Sequence, residues 1–233
     1  MLRIHELKLP LDHKEPALRQ AILKRLNVPA AQLAGFTVFK RAWDARKRDA
    51  IQLTYTIDAE LQDEAAVLKR FARDPHIVPT PDMTYRPVAH AAPGAPRPVV
   101  VGMGPCGFFA ALILAEMGFR PIVIERGKIV RERTKDTFRF WRKAELNPGS
   151  NAQFGEGGAG TFSDGKLYSQ IKDPRHLGRK VLTEFVAAGA PEEILTVAKP
   201  HIGTFRLVTM VENIRAKIEA LGGEIRFETQ VTD

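Results

Sequence analysis

Apolar residues recur along this chain with two periods, and the alternation between those periods marks out the elements. Ile4, Leu7 and Leu9 predict a strand that stops at Pro10. Leu18, Ala21, Ile22, Arg25 and Leu26 follow at helical spacing, with Pro16 suited to a first helical turn. Residues 36–43 and 51–57 are rich in β-branched and aromatic side chains and flank a charged stretch, which predicts a hairpin. A second helix is expected over 64–71, before Asp74-Pro75. The order is β-α-β-β-α, a small α+β domain over residues 1–74.

From 75 to 98 the pattern breaks. Pro75, Pro79, Pro81, Pro87, Pro93, Pro96 and Pro98 remove backbone donors and disfavour helix in the residues before them, so this stretch reads as an extended linker. A second domain, 99–233, opens with the apolar run 99–101, as expected of a buried parallel strand. A helix is predicted over 105–116 with Gly118 near its end, then an apolar strand over 121–125 and a basic helix over 131–146. Glycines crowd 151–165, and a helix is expected over 177–188. Leu207, Val211, Ile214, Ile218 and Leu221 share one face of a last helix, which Gly222-Gly223 stops before a strand over 224–231.

Composition narrows the class. The chain has 233 residues, 44% hydrophobic and 27% charged, which excludes a fully disordered polypeptide. A single cysteine, Cys106, excludes a disulfide framework and a cysteine-rich zinc module. No metal site is expected. The first residues do not form a secretory signal, and the uncharged stretch from Pro98 to Ala115 is interrupted by glycines and is too short to span a bilayer. A cytoplasmic protein without a membrane partner is therefore expected. The net charge of +8 raises the question of a polyanion, but basic residues outnumber acidic ones on both sides of Pro98 and form no dedicated face. That argues against a nucleic-acid partner.

The chemistry lies in Gly102-Met103-Gly104-Pro105-Cys106-Gly107, a G-x-G-x-x-G pattern between a predicted strand and a predicted helix. Alone the pattern is common; in this context it has a physical basis. Gly102 permits the tight turn, Gly104 lets a pyrophosphate approach the backbone, and Gly107 lets helix and strand pack closely. Unpaired amides and the positive end of the helix dipole then favour phosphate. Glu125, ending the next strand, can accept hydrogen bonds from ribose hydroxyls and would repel a 2′-phosphate, which favours FAD or NAD over NADP.

Glu125-Arg126-Gly127 before a basic helix, the G-x-G-P-x-G turn, and above all residues 151–167 (NAQFGEGGAGTFSDGKL) resemble a bacterial family of FAD-dependent dehydrogenases, or NAD(P)/FAD-dependent oxidoreductases. So do residues 200–204, residues 221–227, and the α+β unit joined by a Pro-rich linker. The resemblance covers the whole chain and implies a Rossmann-like FAD-binding domain, with NAD(P)H as electron donor to the flavin and a small-molecule substrate that the residues do not identify. It also implies that Gly157, Gly158, Gly160 and Thr161, and further along Ser163 and Lys166, contact FAD, and that backbone near Val231 meets the adenine. Among the basic residues of 126–143, Arg133 is the best placed to neutralise the pyrophosphate, with Arg126 beside it. Pro105 and Cys106 belong to the same turn. His176, His201, Trp43 and Trp141 read as packing or surface residues, and no catalytic side chain is named.

Members of that family need clearly more chain than this one, which is expected to be an N-terminal part with an unpaired sheet edge. Two other readings fit portions of the sequence: an NAD-binding Rossmann oxidoreductase without flavin, and a nucleotide-regulated nucleic-acid-binding module.

Overall fold

A computed structural model of the chain describes residues 1–167 and 171–232. The architecture is mixed α/β, with an antiparallel four-stranded sheet, a parallel three-stranded sheet and six α-helices. It divides into two compact units, one of residues 1–83 with 192–200, the other of 84–191 with 201–233.

In the first unit the elements are β1 (Leu2–Pro10), α1 (Glu15–Leu26), β2 (Leu33–Asp44), β3 (Gln52–Leu61), α2 (Glu64–Arg70) and β4 (Ile77–Pro79). The sheet order is β2-β3-β1-β4. Strand β3 alternates strictly, burying Leu53, Tyr55, Ile57, Ala59 and Leu61 on one face. Strand β1 buries Ile4 and Leu7, three residues apart, which a regular strand cannot do. A bulge between them, with Glu6 at φ 57°, restores the register. Helix α1 brings Leu18, Ile22 and Leu26 onto this face, and Asn27 in the left-handed region ends it. Asp63 caps α2 by accepting the Ala66 amide at 3.0 Å.

The expected linker starts later than the prolines suggest. Ile77 to Pro79 pair with β1 as an edge strand, a position that tolerates proline because only one side of the strand needs donors. The other edge is extended by a distant segment: the Arg41 amide donates to Thr196 O at 2.7 Å and Ala198 N to Arg41 O at 2.9 Å. On the sheet's second face Arg3 and Asp58 are buried and form a two-pronged ion pair, with Nε to Oδ1 at 2.7 Å and Nη2 to Oδ2 at 2.8 Å.

The second unit contains β5 (Val99–Val101), α3 (Pro105–Glu116), β6 (Ile122–Ile124), α4 (Val130–Lys143), α5 (Leu177–Ala187), α6 (Thr204–Ala220) and β7 (Glu224–Arg226). The parallel sheet runs β5-β6-β7. Strand β5 is an edge: Val99 and Val101 are 55% and 66% exposed. Helix α6 buries Leu207, Val211, Ile214 and Ile218 of the stripe its spacing predicts, whereas Leu221 follows the last turn and is exposed. Lys180 and Lys217 each bridge Glu116 and Glu184 at 2.6–2.8 Å, tying α3, α5 and α6 together. Helix α4 ends at Lys143, three residues before the expected point, because Ala144 turns left-handed. The last strand is also shorter than expected; after Arg226 the chain leaves the ladder to cross the end of β6. Among the described residues no helix is long and apolar enough to cross a membrane.

The Arg3–Asp58 pair gives a direct test. Arg3→Leu strands a buried carboxylate and is expected to cost about 3–5 kcal/mol, whereas Arg3→Leu with Asp58→Leu costs far less. Urea unfolding of the three proteins measures both. Equal losses in the single and double variants would show that the pair is not held dry.

Candidate functional site

The site begins where β5 stops. Gly102 turns the chain at φ 87°, in the left-handed region, and donates its amide to Ile124 O at 2.7 Å. Helix α3 starts at Pro105, and its N-cap residue Gly104 offers no side-chain acceptor to the first-turn amides. The glycines divide their work as the pattern predicts. A Cβ at Gly107 would lie 2.0 Å from Gly102 O, so only glycine lets the helix seat on the turn. A Cβ at Gly104 would meet nothing within 4 Å, so that side is open.

Glu125 follows β6 and is buried. The Met103 amide donates to Oε2 at 2.7 Å and the Gly127 amide to Oε1 at 2.8 Å. Its own amide donates to Arg226 O at 2.9 Å, and its carbonyl accepts the Thr229 amide at 3.0 Å. One residue thus joins the glycine turn, the β6 end and the segment after β7. An ionised carboxylate accepting backbone amides makes stronger hydrogen bonds than a neutral acceptor.

The glycine-rich loop closes the third side. Gly127 packs against it so tightly that a Cβ there would lie 2.5 Å from Gly155 Cα. Gly157 donates its amide to Met103 O at 2.9 Å, and a Cβ on Gly158 would come within 2.9 Å of Pro105 Cδ. Arg133 departs from the sequence expectation. It is fully buried behind the loop, with Nε donating to Asn151 O at 2.8 Å, Nη1 to Glu156 O at 2.6 Å and Nη2 to Ala152 O at 2.9 Å. Its guanidinium therefore holds the loop's backbone, and burial pushes its pKa down to about 10. Glu156, also fully buried, accepts the Val130 amide at 2.7 Å and Arg215 Nη1 at 3.1 Å on Oε2. Its Oε1 has no partner among the described residues, and burial holds the carboxyl above the ordinary glutamate value of 4.5.

These parts enclose a cavity of about 340 Å³. Six sequence-predicted residues line it: Gly102, Gly104, Glu125, Arg126, Gly158 and Val231. The Arg126 guanidinium lies 3.9 Å over the Phe154 ring, and its buried Nε has no partner among the described residues. Gln153, Phe154, Gly155, Thr229 and Gln230 line the cavity too and were not singled out in the sequence. Gly155 carried a signal in the glycine run; Thr229 carried none, because the crossing that brings it here depends on where β7 ends.

The remaining predicted residues lie elsewhere. Pro105, Gly157, Gly160, Thr161, Ser163 and Lys166 line a second cavity of about 210 Å³. Gly107 packs beneath the turn, and Cys106 is exposed and lines neither cavity. Among the described residues no group of three or more His, Cys, Asp or Glu is placed to hold a metal ion.

Two comparisons with known proteins bear on the chain. Residues 1–60 match a family described as a domain of unknown function (DUF8436). Over 99% of its length the chain is similar to an uncharacterized protein of Clostridium beijerinckii, 40% identical over 237 residues. It spans 43% of that relative's length.

Two outcomes are expected at this site. Gly107→Ala should destabilise the protein by about 3 kcal/mol in urea unfolding, through overpacking against backbone, while Gly104→Ala costs about 1 kcal/mol or less; equal losses would contradict the division of roles. Because native Glu156 keeps its proton to a higher pH than the unfolded chain does, its contribution is fully present below pH 4.5 and is lost as pH rises through the raised value. Glu156→Gln should therefore gain on the parent as pH increases across that window. A difference that stays flat with pH would show that the carboxyl is not strained by burial.

Proposed function

We propose that this chain carries the FAD-holding part of an oxidoreductase, its second unit being a Rossmann-like dinucleotide-binding domain. The observation that supports this best is the 340 Å³ cavity itself. An open-sided glycine at a helix N-terminus, a buried acid at the end of the next strand and a second glycine segment all face one space. In this reading the amides of the first turn of α3 and the bare backbone at Gly104 and Gly158 take the pyrophosphate. Glu125 receives the adenosine ribose, its oxygens each having accepted only one backbone amide. Thr229 to Val231 border the adenine end, and Arg126 supplies positive charge beside the cavity.

The fit rests on features that a plain structural turn does not require. Gly104 has open space where its side chain would be, and Arg126 Nε is buried without a partner among the described residues. FAD, when bound, supplies the electron-transfer chemistry, with NAD(P)H as the proposed electron donor and a small molecule as substrate. The chain's own residues bind and orient the cofactor and exclude a 2′-phosphate through the Glu125 carboxylate. The resemblance of residues 151–167 to FAD-dependent dehydrogenases favours a flavin over NAD alone. A nucleic-acid module is disfavoured because the basic residues are spread on both sides of Pro98 rather than gathered on one face.

Titration with FAD, followed by quenching of flavin fluorescence, tests the proposal. Saturable one-to-one binding is expected, with NADP⁺ a poor competitor. Gly104→Val should weaken FAD at least about tenfold, which is about 1.4 kcal/mol, without lowering the melting temperature by more than a few degrees. Absence of saturable binding, or equal competition by NADP⁺, would overturn the reading. Tight NAD⁺ binding without FAD binding would favour the flavin-free enzyme.

A further inference from the structure

The face of the antiparallel sheet opposite its core carries a hollow of about 400 Å³, which lies wholly within the first unit. His5, Glu6, Lys40, Thr54, Thr56 and His76 line it. Two bulges at one level shape it. Strand β1 is bulged between Ile4 and Leu7, strand β2 between Val38 and Lys40, and Thr56 of β3 lies between them. Bulges re-aim side chains and are over-represented beside active sites. Here they bring His5 and Glu6 to the hollow from one side and Lys40 from the other. The His76 wall is tied down: the His5 amide donates to His76 O at 2.8 Å, the His76 amide donates to Asp74 Oδ1 at 2.9 Å, and Arg25 Nη2 donates to Asp74 Oδ2 at 2.6 Å.

The charges flanking the hollow are taken up by one another. Arg3 pairs with Asp58, and Asp44 takes both Lys8 at 3.1 Å and Arg46 at 2.6 Å. Lys40 and Glu6 form no ion pair among the described residues. Burial, then the nearby Arg3 and His76, lower the His5 pKa below its ordinary 6.5, so the His5 imidazole adds no charge at neutral pH. One ammonium and one carboxylate are thus left over. Their strands, β2 and β1, stand on either side of β3 and so about 10 Å apart, with the threonine hydroxyls between. We propose that this hollow binds a free polar α-amino acid. The ligand's carboxylate meets Lys40 and the threonine hydroxyls, its ammonium meets Glu6, and its side chain hydrogen-bonds the His5 and His76 imidazoles. A phosphate would be repelled by Glu6 and a simple amine by Lys40, so the pair of opposite charges selects a zwitterion. This assignment goes beyond the cofactor reading and does not depend on it, since it concerns the other unit.

Calorimetric titration of the whole chain with each of the twenty common L-amino acids, and with acetate, methylamine and inorganic phosphate as probes of one charge sign, decides it. At least one polar amino acid should bind at one saturable site, and none of the three other probes should displace it at equal concentration. Lys40→Met and Glu6→Gln, both at exposed positions and checked for folding by circular dichroism, should each weaken that binding at least about tenfold, because each removes a charge-assisted hydrogen bond. Lys24→Met on α1, which does not line the hollow, should leave it unchanged. No saturable binding of any amino acid by the folded parent protein would overturn the proposal. So would binding confined to apolar amino acids, phosphate or acetate binding as tightly as the best amino acid, or an affinity that neither Lys40→Met nor Glu6→Gln moves. Failure of FAD to bind would bear only on the other unit.

Discussion

The Glu125 carboxylate is the joint on which the parallel unit's site depends. Strands β5 and β6 would pair without it, but Glu125 bonds the turn after β5 and the bend after β6 through its carboxylate and the segment beyond β7 through its backbone. Each bond satisfies a backbone group that the short strands leave over. A carboxylate suits this place because one side chain offers several acceptor sites in a plane, whereas a neutral residue of similar size offers fewer. The same negative charge then faces the cavity, so the group that shapes the site also restricts what enters it.

Behind that joint lies a second constraint. The glycine loop has little apolar material of its own, and Arg133 and Glu156 stand in for a core. Arg133 collects three loop carbonyls and Glu156 anchors the loop to the start of α4 and to Arg215. Both charged groups are buried, and burial shifts both toward neutrality. Such an arrangement adds little net stability compared with a well-packed apolar one. What it provides is position: the backbone of Gly155 to Gly158 is fixed against Gly104 and Pro105 to within contact distance.

Much of this was legible in the sequence, for physical reasons that differ by element. The stripe on α6 and the alternation on β3 are long enough for periodicity to decide, and the G-x-G-x-x-G turn is specified by its context of strand, helix and acid. Strand β4 was hidden because Pro79 and Pro81 read as linker, although an edge position tolerates them. The bulge at Glu6 left no signal beyond two apolar residues three apart. The burial of Arg133 was not legible, because sequence shows a charge and its neighbours, not the contacts that turn it inward. The return of residues 192–200 to the first unit includes two backbone hydrogen bonds to Arg41, which side-chain pattern does not encode.

Hydrogen–deuterium exchange of the whole chain with and without FAD tests the central claim most directly, because it reports where a ligand orders the backbone. The account predicts protection of amides in 102–107, 155–158 and 229–231 on adding FAD, with no change in β1 to β4. Unchanged exchange in those three segments, or protection confined to the antiparallel unit, would contradict it.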